Sequence, residues 1–283
     1  MTLPALRATY HSTICAGILG TRSGSAVFSN ADSGSLASRE IAARLAGELP
    51  YPMCQRPPSG QAAGALLAVA TRQYLVDSLE ALAHLRPLNW NVALTQGRDR
   101  IAAFEQYSHL AELRAMGRSN PRIRWLLNVD YLVAPDITIS RAPWTLEELD
   151  PQGDLDVANT ILRYSPAVLR VGQLPLLHAS VSCKWTIRSD RAQNSRTEAL
   201  NLLRNRKGRS PHIAVVTFEP LPSRLAAIAA GTGDIDCTYH GALHELRAAV
   251  ADLGIAEQGE VLEALIEGHR LRDIADLPFD LVA

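Results

Sequence analysis

The chain has 283 residues, a formal net charge of −1, 47% hydrophobic residues and 20% charged residues. That apolar share supports a packed core, and no apolar run approaches the ~20 residues that span a bilayer. The neutral balance excludes a uniformly basic polyanion binder but leaves room for a local one: eight basic residues lie between Lys184 and Arg209, against Asp190 and Glu198.

The N-terminal run ICAGILG is short and broken by two glycines, which argues against a signal peptide. The four cysteines, Cys15, Cys54, Cys183 and Cys237, are scattered with no CxxC pair, so neither a disulfide framework nor a zinc ribbon is expected. A soluble cytoplasmic protein without a membrane anchor is the expectation.

Residues 35–50 (SLASREIAARLAGELP) have helical periodicity and stop at proline. Residues 51–60 form a proline-rich loop, and 61–85 predict a long helix with a thick apolar face. Residues 100–117 predict an amphipathic helix capped by Gly117. VDYLVAPDITISR (129–141) is strand-like around Ala-Pro-Asp, and LPLLHASVSCKWTI (174–187) is apolar enough for a central strand. AQNSRTEALNLLRN (192–205) predicts a helix with a Leu200/Leu203 edge turned inward, and PHIAVVTFE (211–219) a third strand. Helices follow at 223–231, 238–253 and 256–268. No repeat and no linker interrupts the chain, so strands interleaved with helices predict one α/β domain over residues 1–283.

Three residues stand out against this frame. Asp136 falls on one strand, Lys184 on the next, and Glu198 on the helix after it. Carboxylates on rigid neighbouring elements supply the hard oxygen ligands that Mg²⁺ requires, and such a cation suits phosphodiester hydrolysis. A lysine beside them can hold the attacking water, a role arginine fills poorly because it stays protonated. Only two of the 28 basic residues are lysine, Lys184 and Lys207, which makes a lysine at this spot informative. The bland alternative is a strand lysine there by chance. A rival metal set, Cys237, His240 and His244, has ligand-like spacing for zinc but lacks the HExxH glutamate and a fourth ligand, so histidines on one helix face are the expected reading.

The pattern resembles the PD-(D/E)xK nucleases, in which a strand aspartate precedes a carboxylate-x-lysine on the next strand. APD (134–136) matches the first half. Ser182 stands where the second carboxylate is usual, and a glutamate on the following helix, Glu198, can take its place. That departure marks the restriction endonucleases that recognise CCGG-centred sites. The chain is similar to that family at 176–209, 211–224 and 231–240, and at SNAD (29–32), RPPSGQ (56–61), RPLNWNV (86–92) and DIADLPFDL (273–281). The weakest stretches are 1–28 and 142–172.

The resemblance implies a restriction-endonuclease-like core, a central mixed β-sheet flanked by helices. It implies catalysis by Asp136, Lys184, Glu198 and Ser182, with Mg²⁺ held by Asp136, Glu198 and the Cys183 carbonyl. It implies that Arg188 and Arg191 read guanines and Asp190 reads cytosines, which suits their chemistry: arginine bonds bidentately to guanine O6 and N7, and aspartate accepts from cytosine N4. Arg224 and Asp32 would read an outer G·C pair, and Gln61 would reach into the minor groove. The implied target is GCCGGC in double-stranded DNA, cut after the first G to leave 5′ CCGG overhangs by a homodimer or homotetramer. The family also places a glutamate seven residues after this glutamine. Here that position is Ala68, which keeps open a sequence-specific DNA-binding protein with impaired cleavage. A repair or recombination nuclease would not need the base-reading segments.

Overall fold

The computed structural model describes the chain except residues 23, 88, 96–97, 120–134, 157–164, 170–171 and 232, and the side chains of 98–100, 119 and 189–192. In chain order the elements are α1 (Leu3–Gly17), α2 (Leu36–Glu48), α3 (Gly60–Ala81), β1 (Trp90–Leu94), two 3₁₀ turns (Arg98–Ala103 and Glu105–Tyr107) and α4 (His109–Ser119). Then come β2 (Ile137–Arg141), α5 (Leu146–Leu149), β3 (Leu176–Lys184), α6 (Ser189–Asn205), β4 (His212–Thr217) and α7 (Pro222–Ala229). The chain ends with β5 (Cys237–His240), α8 (Leu243–Leu253), α9 (Ala256–Glu267), β6 (Leu271–Asp273) and α10 (Leu277–Val282).

The six strands form one mixed sheet in the order β1-β2-β3-β4-β5-β6. β1–β2 and β2–β3 pair antiparallel, and the remaining three pairs are parallel. This is the expected α/β sheet with helices against it. β3 and β4 are central and nearly continuously buried, as strands covered on both faces must be. A bulge between Ile139 and Ser140 skips His178 on β3, and His178 turns to bond the Leu281 carbonyl at 2.7 Å. Among the described residues no helix is long and apolar enough to cross a membrane.

Capping and periodicity account for several helices. Ser35 caps α2 by accepting from the Ser38 N–H, and the chain turns away before Pro50. α1 buries Leu6, Tyr10, Ile14 and Cys15 at helical spacing, with a proline in its first turn.

Four sequence expectations change. Residues 100–117 do not make one helix; α-helix begins only at His109 and runs through Gly117. Phe104 is extended, the Glu105 N–H donates to the Pro175 carbonyl, and the Gln106 amide bonds both backbone groups of Leu177. These tertiary bonds to the start of β3 outcompete local helical propensity. The stretch 238–253 is not all helix, because Cys237–His240 is a buried strand paired on both sides. On α6 the inward face is Ser195, Glu198, Ala199 and Leu202, while Leu200 and Leu203 are only half-buried. Of the strand read at 129–141, residues 129–134 lie outside the described residues, and Asp136 falls immediately before β2 rather than inside it.

Candidate active site and DNA-reading cleft

Strand alternation splits the end of β3 between two faces of the sheet. Cys183 turns toward α3, where the Thr71 hydroxyl lies beside its thiol. Ser182 and Lys184 turn toward α6, where the Ser182 hydroxyl donates to Glu198 Oε2 at 3.4 Å. Asp136 closes the group from the edge. Its Oδ2 accepts from the Cys183 N–H at 2.7 Å and from Lys184 Nζ at 3.2 Å, and its carbonyl accepts from the Thr95 N–H at 3.0 Å. Residues separated by 47 positions in the chain are thus locked side by side, because antiparallel β2–β3 pairing ends at Ile137 opposite Val181.

Glu198 is only 6% exposed. Burial pushes its carboxyl up to about 7, Asp136 adds to that rise, and Lys184 and the Ser182 hydrogen bond oppose it. Its Oε1 is buried without a hydrogen-bond partner among the described residues. An unpaired buried carboxylate oxygen beside a second carboxylate is what a hard cation would satisfy. The backbone agrees. An extended residue presents its N–H and C=O to the same edge, so the Cys183 carbonyl faces the Asp136 side, beyond the end of β2. Asp136, Glu198 and that carbonyl therefore fit a Mg²⁺ ion that completes its shell with water and phosphate oxygens. No three His, Cys, Asp or Glu side chains are grouped to hold a metal among the described residues.

Ala68 adds no carboxylate to that group. α3 starts with Gln61 beside Trp185 and Thr186, and its Thr71 reaches Cys183. Ala68, one turn before Thr71, shares this inward face and is 4% exposed within the core. It lies on the Cys183 face of the sheet, opposite Glu198.

The rival metal set does not form. The Cys237 thiol lies within reach of the Thr238 and Arg270 carbonyls. His240 is buried on β5, with Nε2 toward the Glu219 carbonyl and Nδ1 accepting from the Ala242 N–H. Both ring nitrogens are used, and burial pushes the imidazole down to about 4. His244 is on exposed surface in the first turn of α8.

Beyond Lys184 the chain runs into a cleft of about 580 Å³. Asp32, Gln61, Arg188 and Arg224 all line it, with Arg22, Trp185 and Thr186. Four of the six expected base-reading residues thus meet in one place. Arg188 is the exposed N-cap of α6, and Arg224 lies in the first turn of α7 and pairs with Asp32. A hydrogen bond from the Gly34 N–H holds the Asp32 carboxyl below its usual range, with Arg224 and Arg188 pulling the same way. Asp190 and Arg191 belong to the first turn of α6, and their side chains lie outside the described residues. Arg204 lies in the last turn of α6, ~22 Å along its axis from that first turn, and Arg206, Lys207 and Arg209 follow the helix.

Three contributors escaped the sequence reading. Arg22 donates to the Ser29 and Ala31 carbonyls, bracing the loop that presents Asp32. Gly20 lets that loop abut the 53–61 loop, since a β-carbon there would meet the Cys54 carbonyl at 1.9 Å. Neither has a local signature. Glu219, buried at the end of an apolar strand, was visible in PHIAVVTFE as an acid out of place.

Comparison with known proteins agrees with this geometry. The NgoMIV restriction enzyme family model matches residues 10–283. The type II restriction enzyme NgoMIV of Neisseria gonorrhoeae is 41% identical over 277 residues, covering 97% of this chain and 96% of that protein. A match of this extent is decisive: the chain belongs to the NgoMIV restriction enzyme family.

Proposed function

We propose that this restriction endonuclease recognises GCCGGC in double-stranded DNA and cuts each strand after the first G, leaving 5′ CCGG overhangs in a Mg²⁺-dependent reaction. The observation that carries the reading is the adjacency of the two sites. Only four residues separate Lys184 from Arg188, a span of at most ~14 Å even fully extended. A group that reads a base edge and a group that acts on a neighbouring phosphodiester must lie about that far apart.

In this reading Lys184 holds the attacking water and stabilises the hydroxide that forms as it approaches phosphorus in line with the departing 3′ oxygen. Asp136 fixes the lysine and supplies one carboxylate, and Glu198 supplies the other from inside the sheet-helix seam. Bound Mg²⁺ would contribute neutralisation of the phosphate charge and acidification of water. Attack forms one P–O bond and breaks the bond to the 3′ oxygen, giving a 5′-phosphate and a 3′-hydroxyl. Arg188, Arg191 and Asp190 read the central CCGG, Arg224 and Asp32 the outer pair, and Gln61 the minor groove. Two symmetry-related copies cover the palindrome, as a dimer or a tetramer of two dimers, acting in the cytoplasm.

Ala68 favours the second reading, a DNA-binding protein that no longer cuts. Asp136, Lys184 and Glu198 nevertheless assemble without a carboxylate at 68. Incubating the protein with Mg²⁺ and matched plasmids that carry or lack GCCGGC separates the two. Cleavage of the first plasmid alone supports the nuclease, whereas retention of that plasmid in a gel shift without cleavage supports the binding protein.

A further inference from the structure

We propose that Glu219 is a positioning residue for base recognition, a buried carboxylate that holds the core-reading and outer-reading segments of the cleft in one fixed relation. The proposal rests on the assignment of base-reading roles to Arg188 and Arg224 above.

Glu219 is fully buried, two residues past the end of β4. Its two carboxylate oxygens go to different segments. Oε2 accepts from the Ile187 N–H at 2.8 Å, immediately before Arg188. Oε1 accepts from the Leu221 N–H at 3.2 Å, at the N-cap of α7 and three residues before Arg224. The neighbouring Phe218 carbonyl accepts from the buried Asn30 amide at 3.0 Å, two residues before Asp32. Three segments that each carry a cleft-lining reader are therefore bound to residues 218 and 219. The hub is itself anchored, because the Glu219 N–H donates to Thr217 Oγ1 at 3.1 Å and the Glu219 carbonyl faces His240 Nε2 at 3.1 Å.

The chemistry calls for a carboxyl group, whose two oxygens both carry lone pairs whether or not one of them is protonated. Two backbone N–H groups converge from opposite sides, and each needs an acceptor. A glutamine offers one acceptor and one donor, so its NH₂ would face one of the two N–H groups. An alanine would leave both unpaired in a dry pocket. Arg224 is near but pairs with Asp32, so the carboxylate serves the backbone and leaves the guanidinium to the cleft. The consequence is coupled readout: the spacing between the reader of the central guanine and the reader of the outer pair is set by one side chain.

The test uses Glu219→Gln and Glu219→Ala in the full chain. Single-turnover cleavage in Mg²⁺ is measured on a GCCGGC duplex, on one with an inner C·G pair replaced and on one with the outer G·C pair replaced. Discrimination should fall about 10-fold at both positions, the scale of one base contact misplaced. The cognate rate at saturating enzyme should fall less than discrimination does. Wild-type discrimination at both positions, with lowered thermal stability alone, would make Glu219 a loop staple and overturn the proposal. Loss at one position only would overturn the coupling. Should neither variant fold, hydrogen exchange on the wild type decides: slow exchange at both Ile187 and Leu221 is expected, and fast exchange at either overturns the clamp. A wild type that does not cut GCCGGC would instead indict the sequence assignment, which that exchange measurement does not use.

Discussion

Lys184→Met removes the ammonium 3.2 Å from Asp136 Oδ2 and keeps most of the side chain's volume. The ion pair is partly solvated, with side-chain exposures of 19% and 39%. A pair so screened contributes ~0.2–1 kcal/mol to stability, and Asp136 keeps its 2.7 Å bond from the Cys183 N–H. At ~2–4 °C per kcal/mol for a chain of this size, Tm should fall by no more than about 4 °C. The kinetic effect is of another order. Loss of a group acting on the nucleophilic water costs ~10²–10⁴-fold, or about 2.7–5.4 kcal/mol on the barrier. The assay is single-turnover cleavage of a GCCGGC duplex beside gel-shift affinity in Ca²⁺ and a thermal melt. Expected are a cleavage loss of ~10²-fold or more, near wild-type affinity and a small Tm shift. Affinity falling in parallel with rate would recast Lys184 as a phosphate contact, and a retained rate would remove it from catalysis.

Arg224→Ala should relax selection at the outer pair by ~1–3 kcal/mol while selection at the central CCGG holds, measured on duplexes altered at each position; equal loss on unrelated DNA would make it a backbone contact. Ala68→Glu should lower the Mg²⁺ concentration for half-maximal cleavage. It should also cost ~1–3 kcal/mol of stability in EDTA through overpacking of the core, with Mg²⁺ restoring more of the Tm than it adds to the wild type. An unchanged metal titration would place residue 68 out of reach of the ion. Burial pushes Glu219 up to about 7, with Asp32 adding to the rise and its two backbone bonds and Arg224 opposing it. The unfolded carboxyl titrates near 4.3, so this group's stabilisation is complete below that value and is lost as pH rises through about 7. The stability advantage of wild type over Glu219→Gln should therefore shrink between pH 5 and pH 8, by on the order of 2–3 kcal/mol in total. A constant difference across that range would show that Glu219 ionises as freely in the folded protein as in the unfolded one.

The candidate catalytic residues stood out because each sits in or beside a short apolar stretch. Lys184 interrupts a central strand and Asp136 follows a proline before another, so each looked out of place in its own neighbourhood. The sheet order was less legible, and β5 was read as helix because CTYH is short and its strand character comes from partners on both sides. The helix expected at 100–117 failed for the same reason, since Gln106 satisfies the backbone of Leu177, 71 residues away. Glu198 was singled out as a carboxylate on the helix after β3, while the leucine edge suggested for that helix pointed elsewhere. The packed structure turns Glu198 inward because Ser182 and the sheet, not the leucines, lie on that side. The base readers could not be grouped by sequence alone: Asp32, Gln61, Arg188 and Arg224 are spread over nearly two hundred residues. All four line one cleft, and Phe218 and Glu219 bind the backbones beside Asp32, Arg188 and Arg224.

The central claim is that the group at the end of β3 cuts DNA at one sequence and one bond. Digestion of a randomised DNA library with wild-type protein in Mg²⁺, followed by sequencing of the ends, tests it most directly. The account predicts that the ends cluster within GCCGGC, each with a 5′ phosphate and a four-base CCGG overhang beginning after the first G, and that none appear with Asp136→Ala. Ends at a different sequence or offset would contradict the assigned readers, and a library bound at GCCGGC but left intact in Mg²⁺ and Mn²⁺ alike would contradict the nuclease.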